Sequence, residues 1–140
     1  MSRSGYGEDG GGPEGNLWRG AVESAIHGRR GQRFLKDLLA ALDALPEKRL
    51  IADDLEKDGE VCAIGALGKQ RGVDMAKIDP EDCDRVARVF GIAPALAAET
   101  VFMNDEAFWR ETPEQRFERM RSWVARNIQA DVQVAVPAGA

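Results

Sequence analysis

Arg33-Phe34-Leu35-Lys36-Asp37-Leu38-Leu39-Ala40-Ala41-Leu42-Asp43-Ala44-Leu45-Pro46 is the stretch on which the fold class turns. Phe34, Leu35, Leu38, Leu39, Leu42 and Leu45 recur at spacings of three and four, the period of a helix that buries one side. Pro46 stops it, because proline lacks an amide hydrogen and disfavours helical backbone in the residue before it. Upstream, Trp18, Val22, Ala25 and Ile26 share one side of a short helix over Leu17–His27, closed by Gly28. The first sixteen residues are Gly-rich and lack the apolar run of a signal peptide, so they read as a flexible tail.

Downstream the signals alternate in strength. Leu50, Ile51 and Leu55 predict a short helix within Glu47–Leu55. From Glu60 onward, Val61, Ile64 and Leu67 share a face, Gly65 and Gly68 let a second backbone approach, and Gly72 ends the helix. Asp79, Pro80 and Asp82 read as N-cap, first helical position and acidic first turn of a helix that carries Val86, Val89 and Phe90 to Gly91. A further helix, Pro94–Met103, runs into the turn-like pair Asn104-Asp105. Thr112, Pro113 and Gln115 form the strongest start, a capping box, ahead of the stripe Phe117, Met120, Val124 and Ile128 flanked by Trp123. No internal repeat and no alternating strands joined by hairpin turns are evident. The expected fold is all-α: a compact bundle of five or six short helices in one domain over 17–128, between a 1–16 tail and a mobile 129–140 tail.

Composition narrows the function. With 140 residues the chain suits one core, and 44% hydrophobic against 31% charged residues is a globular profile. The longest run free of charged residues, Val89–Ala98, is half of what a membrane span needs. No membrane association and a cytoplasmic location are therefore expected. Cys62, Cys83 and His27 are the only soft ligands, too few for a zinc site, so no metal and no cofactor is expected. The net charge is −5, but its distribution is uneven. Residues 17–50 carry seven basic and four acidic side chains, residues 51–84 four and ten, and residues 110–128 five and three. Two faces of opposite sign follow, able to steer a charged partner.

Several motifs invite a chemical reading. Gly28-Arg29-Arg30-Gly31 looks like the Gly-x-x-Gly loop of KH domains, where the glycines admit a phosphate to the backbone and flanking arginines hold it. No strand precedes the helix, as that fold requires. Ala87, Gly91 and Ile92 are placed as in a helix-turn-helix, yet Pro94–Met103, which would read the DNA, holds no Lys or Arg. Asp54, Glu56, Asp58 and Gly59 match half an EF-hand, with Gly65 where the bidentate Glu belongs. Gly65, Gly68 and Lys69 miss a P-loop, because Ala63 and Gln70 replace its first glycine and its Ser/Thr. Cys62, near a helix start that lowers thiol pKa, is the one candidate nucleophile. It lacks a base, unless folding brings His27 to it. Trp18 and Trp109 fit either core or interface.

Cys62-Ala63-Ile64-Gly65-Ala66-Leu67, followed by Asn104-Asp105 and Trp123-Val124, resembles small proteins of unassigned function encoded by tailed phages and prophages. The resemblance spans about Trp18 to Ile128 and carries over no catalytic or binding residue. It implies an accessory protein that acts by binding a host or phage macromolecule. The leading expectation is thus a non-enzymatic interaction protein using a patch of Arg19, Arg29, Arg30 and Arg33, with no catalytic residue and an unidentified protein partner. Nucleic-acid binding through Gly28–Gly31 is the first alternative, and a cysteine-dependent enzyme around Cys62 the second.

Overall fold

Two helices joined at one residue begin the domain: α1 (Pro13–His27) and α2 (Arg29–Ala44), with Gly28 as the joint. They belong to a computed structural model that describes residues 3–4, 13–106 and 110–129. Next come a small hairpin of β1 (Glu56–Lys57) and β2 (Glu60–Val61), α3 (Ala63–Arg71) and a 3-10 turn at Met75–Lys77. The last three helices are α4 (Cys83–Phe90), α5 (Pro94–Asp105) and α6 (Pro113–Asn127). The all-α bundle expected from sequence is what forms, with α1 beginning four residues earlier than the apolar periodicity indicates.

The stripe that decided the reading is the core. Phe34, Leu35, Leu38 and Leu42 of α2 are at most 1% exposed, and α2 packs against α1, α3 and α6. A second hub is α5, apolar on all sides and buried at eight of its positions, as expected of a helix that other helices surround. Helices α1, α3 and α6 each touch both hubs, while α4 packs on α5. Close approach between elements rests on two glycines. A Cβ at Gly31 would lie 1.8 Å from the Ala25 carbonyl oxygen of α1, and one at Gly65 would lie 1.9 Å from that of Leu55.

Three local readings are corrected. Glu47–Leu55 is not helical, because its backbone groups are taken by distant partners: Leu50 N donates to Pro113 O, Ile51 N to Val61 O, and Leu55 O accepts from Cys62 N. The acidic segment Glu56–Val61 is a hairpin, with Glu56 opposite Val61 and Lys57 opposite Glu60. Its turn residues Asp58 and Gly59 have φ of 53° and 82°, the paired positive values of a type I′ turn, for which Asp-Gly is favoured. The α4 cap is Asp82, which accepts from Arg85 N at 3.0 Å. Asp79 instead closes the preceding turn, accepting from Glu81 N. The capping box at Thr112 and Gln115 forms as read from sequence.

Of the 1–16 tail, Pro13 onward is helical, and Arg3 and Ser4 are buried against the core. The 129–140 tail lies outside the described residues except for Gln129, whose amide donates to Gln32 Oε1 at 2.8 Å. Among the described residues no single helix is long and apolar enough to cross a membrane.

Candidate functional site

Arg29, Arg30 and Arg33 occupy the first turn and a half of α2 and are exposed. Their helix starts without the usual acidic help. Gly28 at the N-cap has no side chain to offer, and no Asp or Glu stands in the first turn. Helix N-termini carry partial positive charge, so cations there are disfavoured, as are like charges at i,i+4 such as Arg29 and Arg33. None of the three makes an ion pair among the described residues, whereas seven other arginines do. Arg71 binds Asp37 at 2.9 Å, Arg121 binds Asp43 at 2.6 Å, and Arg116 and Arg119 share the buried Glu111. Arg121 holds the Asp43 carboxyl below its ordinary range by hydrogen bonding.

The structure divides the expected patch. Arg19 of α1 turns to α5, where it meets the buried Glu99 at 3.0 Å, and it also lies near Glu23. That pairing takes it out of the cluster on α2. Arg126, exposed in the last turn of α6, joins the cluster's end of the bundle instead, since Gln32 donates to the neighbouring Asn127 O at 2.9 Å. Gln32 also donates to Ile26 O, so one amide clamps α1, α2 and α6 and fixes the arginine-bearing turn. At the far end of α2, about 24 Å away at 1.5 Å per residue, Leu45 and Pro46 border a groove of about 280 Å³ that Glu47, Asp58 and Glu60 also line. Arg49 and Lys69 line the same groove, so both signs of charge meet there.

The Gly-x-x-Gly reading is altered by Gly31. That glycine is buried inside α2 against α1, so it serves helix packing and offers no backbone to a phosphate. The helix-turn-helix likeness persists only in outline. The α4–α5 pair bends by 108°, but the second helix is the buried hub. Trp18 is 37% exposed and Trp123 is buried, while Trp109 lies outside the described residues.

Cys62 is 1% exposed and is the N-cap of α3, its sulfur accepting from Gly65 N at 3.3 Å. The other polar group at that sulfur is the Arg3 guanidinium, at 3.9 Å. His27 lies exposed on α1 and faces Glu23. Next to Cys62 stands Asn104, half of the turn-like Asn-Asp pair. Asn104, in the last turn of α5, accepts from Ala63 N at 3.0 Å and donates to Ile51 O and to Asp105 Oδ1. Arg116 completes this knot by donating to Asn104 O and Leu50 O. The only sequence signal for it is an Asn-Asp pair at the end of an otherwise apolar helix. Among the described residues no group of three or more His, Cys, Asp or Glu is placed to hold a metal ion.

No protein-family model, curated protein or solved structure matches the chain.

Proposed function

We propose that the protein is a non-enzymatic interaction module, which docks an acidic surface of a protein partner through Arg29, Arg30 and Arg33. The observation that carries this reading is the cluster itself: three exposed arginines without ion pairs, at the helix end where positive charge is least favourable. An anionic partner relieves that repulsion on docking, and arginine is suited to it because its planar fork binds carboxylates with two hydrogen bonds. A protein partner is favoured over a nucleic acid because Gly31 is committed to packing and the net charge of the chain is −5. As the resemblance of Cys62–Leu67 implies, the setting is that of a phage-type accessory protein that modulates a host process in the cytoplasm.

The test is an affinity capture at about 0.15 M salt, where exposed charges are screened beyond roughly 8 Å, with wild-type and Arg29→Glu/Arg30→Glu/Arg33→Glu baits side by side. A protein retained in near-stoichiometric amount by the wild type and lost by the variant, with helical content unchanged, supports docking. Equal retention by both baits refutes it. Co-purifying nucleic acid, with log affinity falling against log salt by about 0.9 per phosphate contacted, replaces the protein partner with the alternative one.

A further inference from the structure

Arg3 and Ser4 occupy a recess whose carboxylate is also held by other residues of the fold. The recess lies between the start of α3, the end of α5 and the start of α4. Its base is the Asp105 carboxylate, whose Oδ1 accepts from Asn104 Nδ2 at 2.7 Å and from Asp53 N at 3.2 Å. Asp53 makes that bond from the left-handed region, with φ of 74°, a conformation that a residue with a side chain holds only when its surroundings enforce it. Asp105 is thus held by two groups of the fold besides Arg3.

Into this recess the Arg3 guanidinium places a two-pronged contact, Nε to Oδ2 at 2.5 Å and Nη2 to Oδ1 at 2.7 Å, with Nη1 toward Cys62 Sγ. The side chains of Arg3 and Asp105 are 2% and 3% exposed. The backbone is gripped as well. Cys83 Sγ donates to the Arg3 carbonyl at 3.0 Å, and Ser4 Oγ donates to Glu106 Oε2 at 2.5 Å. Buried ion pairs are seldom the most stable way to fill a core. Here an entire dipeptide is recognised group by group: guanidinium, carbonyl, hydroxyl. The eight residues between Ser4 and Pro13 include five glycines.

We propose that the Asp105–Cys62–Cys83–Glu106 recess is a binding site for an arginyl-serine peptide, filled in cis by Arg3-Ser4 and open to an arginine-bearing peptide in trans when that segment withdraws. The site is separate from the arginine cluster on α2, so either can fail without the other.

Chemical rescue in the full chain tests it. Arg3→Ala vacates the recess, and the reaction of Cys62 and Cys83 with a disulfide reagent should accelerate roughly tenfold, as for a locally opened region. Added acetyl-Arg-Ser-amide should restore the slow rate and raise the melting temperature saturably, at concentrations below the roughly millimolar effective concentration of the tether it replaces. Acetyl-Lys-Ser-amide should do neither, because lysine lacks the fork, and Asp105→Asn should abolish the response. Thiols that stay slow in Arg3→Ala overturn the proposal, as does a fast rate that the arginine peptide leaves unchanged or that the lysine peptide restores equally. If Arg3→Ala loses helical content, Arg3→Gln, which removes the charged fork but keeps part of the stem, carries the same comparison.

Discussion

Replacing Arg29 and Arg30 by Glu should make this protein more stable. In α2 these are the first two helical positions, behind a glycine cap with no side chain and with no acidic residue in the first turn. A charge in a terminal turn contributes about 0.3–1 kcal/mol at low salt, favourable when it opposes the helix dipole and unfavourable when it adds to it. Arg→Glu removes the second and supplies the first at each position. The change also turns the repulsion between position 29 and Arg33 into an attraction, worth about 0.2–0.5 kcal/mol at i,i+4. A total of roughly 1.5–5 kcal/mol follows, and at about 3 °C per kcal/mol for a domain of this size that corresponds to a melting-temperature rise of about 5–15 °C. Calorimetry at low ionic strength measures it. Repetition in molar salt should shrink the gain, since exposed charges are then screened within about 3 Å, and Arg29→Gln/Arg30→Gln should deliver about half of it. A melting temperature unchanged or lowered at low salt would refute the reasoning, because the arginines would then hold contacts that the fold requires. The opposed signs are useful: a variant that is more stable and yet loses its partner cannot have lost it by unfolding.

Other perturbations reach the interior. Gly31→Ala should cost about 3 kcal/mol or more, because its methyl group would start 1.8 Å from the Ala25 carbonyl and α1 would have to move off α2; the urea midpoint reports it. Asn104→Ala should cost about 2–4 kcal/mol by stranding Ala63 N and Ile51 O, groups bonded to Asn104 in the interior, and hydrogen exchange at the start of α3 should accelerate. Asp43 gives a pH signature. Its folded pKa lies below the ordinary 3.8 because Arg121 hydrogen-bonds the ionised form. Its contribution is therefore complete above that value and lost as pH falls through the lower folded one. Asp43→Asn should lower the melting temperature at neutral pH, with the difference from wild type closing below about pH 4; a difference that persists at acid pH would assign the loss to something other than charge.

What the sequence made legible was local. The α2 stripe and the Thr112–Gln115 capping box are complete within one or two turns, so spacing alone revealed them. Glu47–Leu55 was misread because what holds it extended is remote: Leu50 and Ile51 are bonded to Pro113, Val61, Asn104 and Arg116, and periodicity in a nine-residue window carries none of that. The hairpin was hidden by strands too short to alternate, although Asp58-Gly59 is a strong turn signal. Two aspartates three residues apart competed for the α4 cap, and Pro80 pointed to the wrong one. The candidate site was half visible. Composition identified the arginines, but only the fold could remove Arg19 by placing Glu99 against it and bring Arg126 to the same end through Gln32. Nothing in a Gly-rich segment announced that Arg3 would be buried.

Unpaired arginines need a reason in a chain with 24 acidic and 19 basic side chains, where partners are not scarce. Nearly every arginine tied to the packing found one: Arg116 and Arg119 at Glu111, Arg19 at Glu99, Arg3 at Asp105, Arg71 at Asp37. Arg85 and Arg88, exposed on α4, have Asp82 and Asp84 in the adjoining turn. The first turn of α2, which holds Arg29 and Arg30, has no acid, and Asp37, one turn on from Arg33, is bound to Arg71. The fold can carry this repulsion because α2 is secured elsewhere, by four side chains at most 1% exposed and by the Gln32 clamp. Each of those side chains contributes about 1.5–3 kcal/mol of burial, against a few tenths for each misplaced charge. Stability therefore does not select these arginines, and the proposed binding to an anionic surface supplies a process that would.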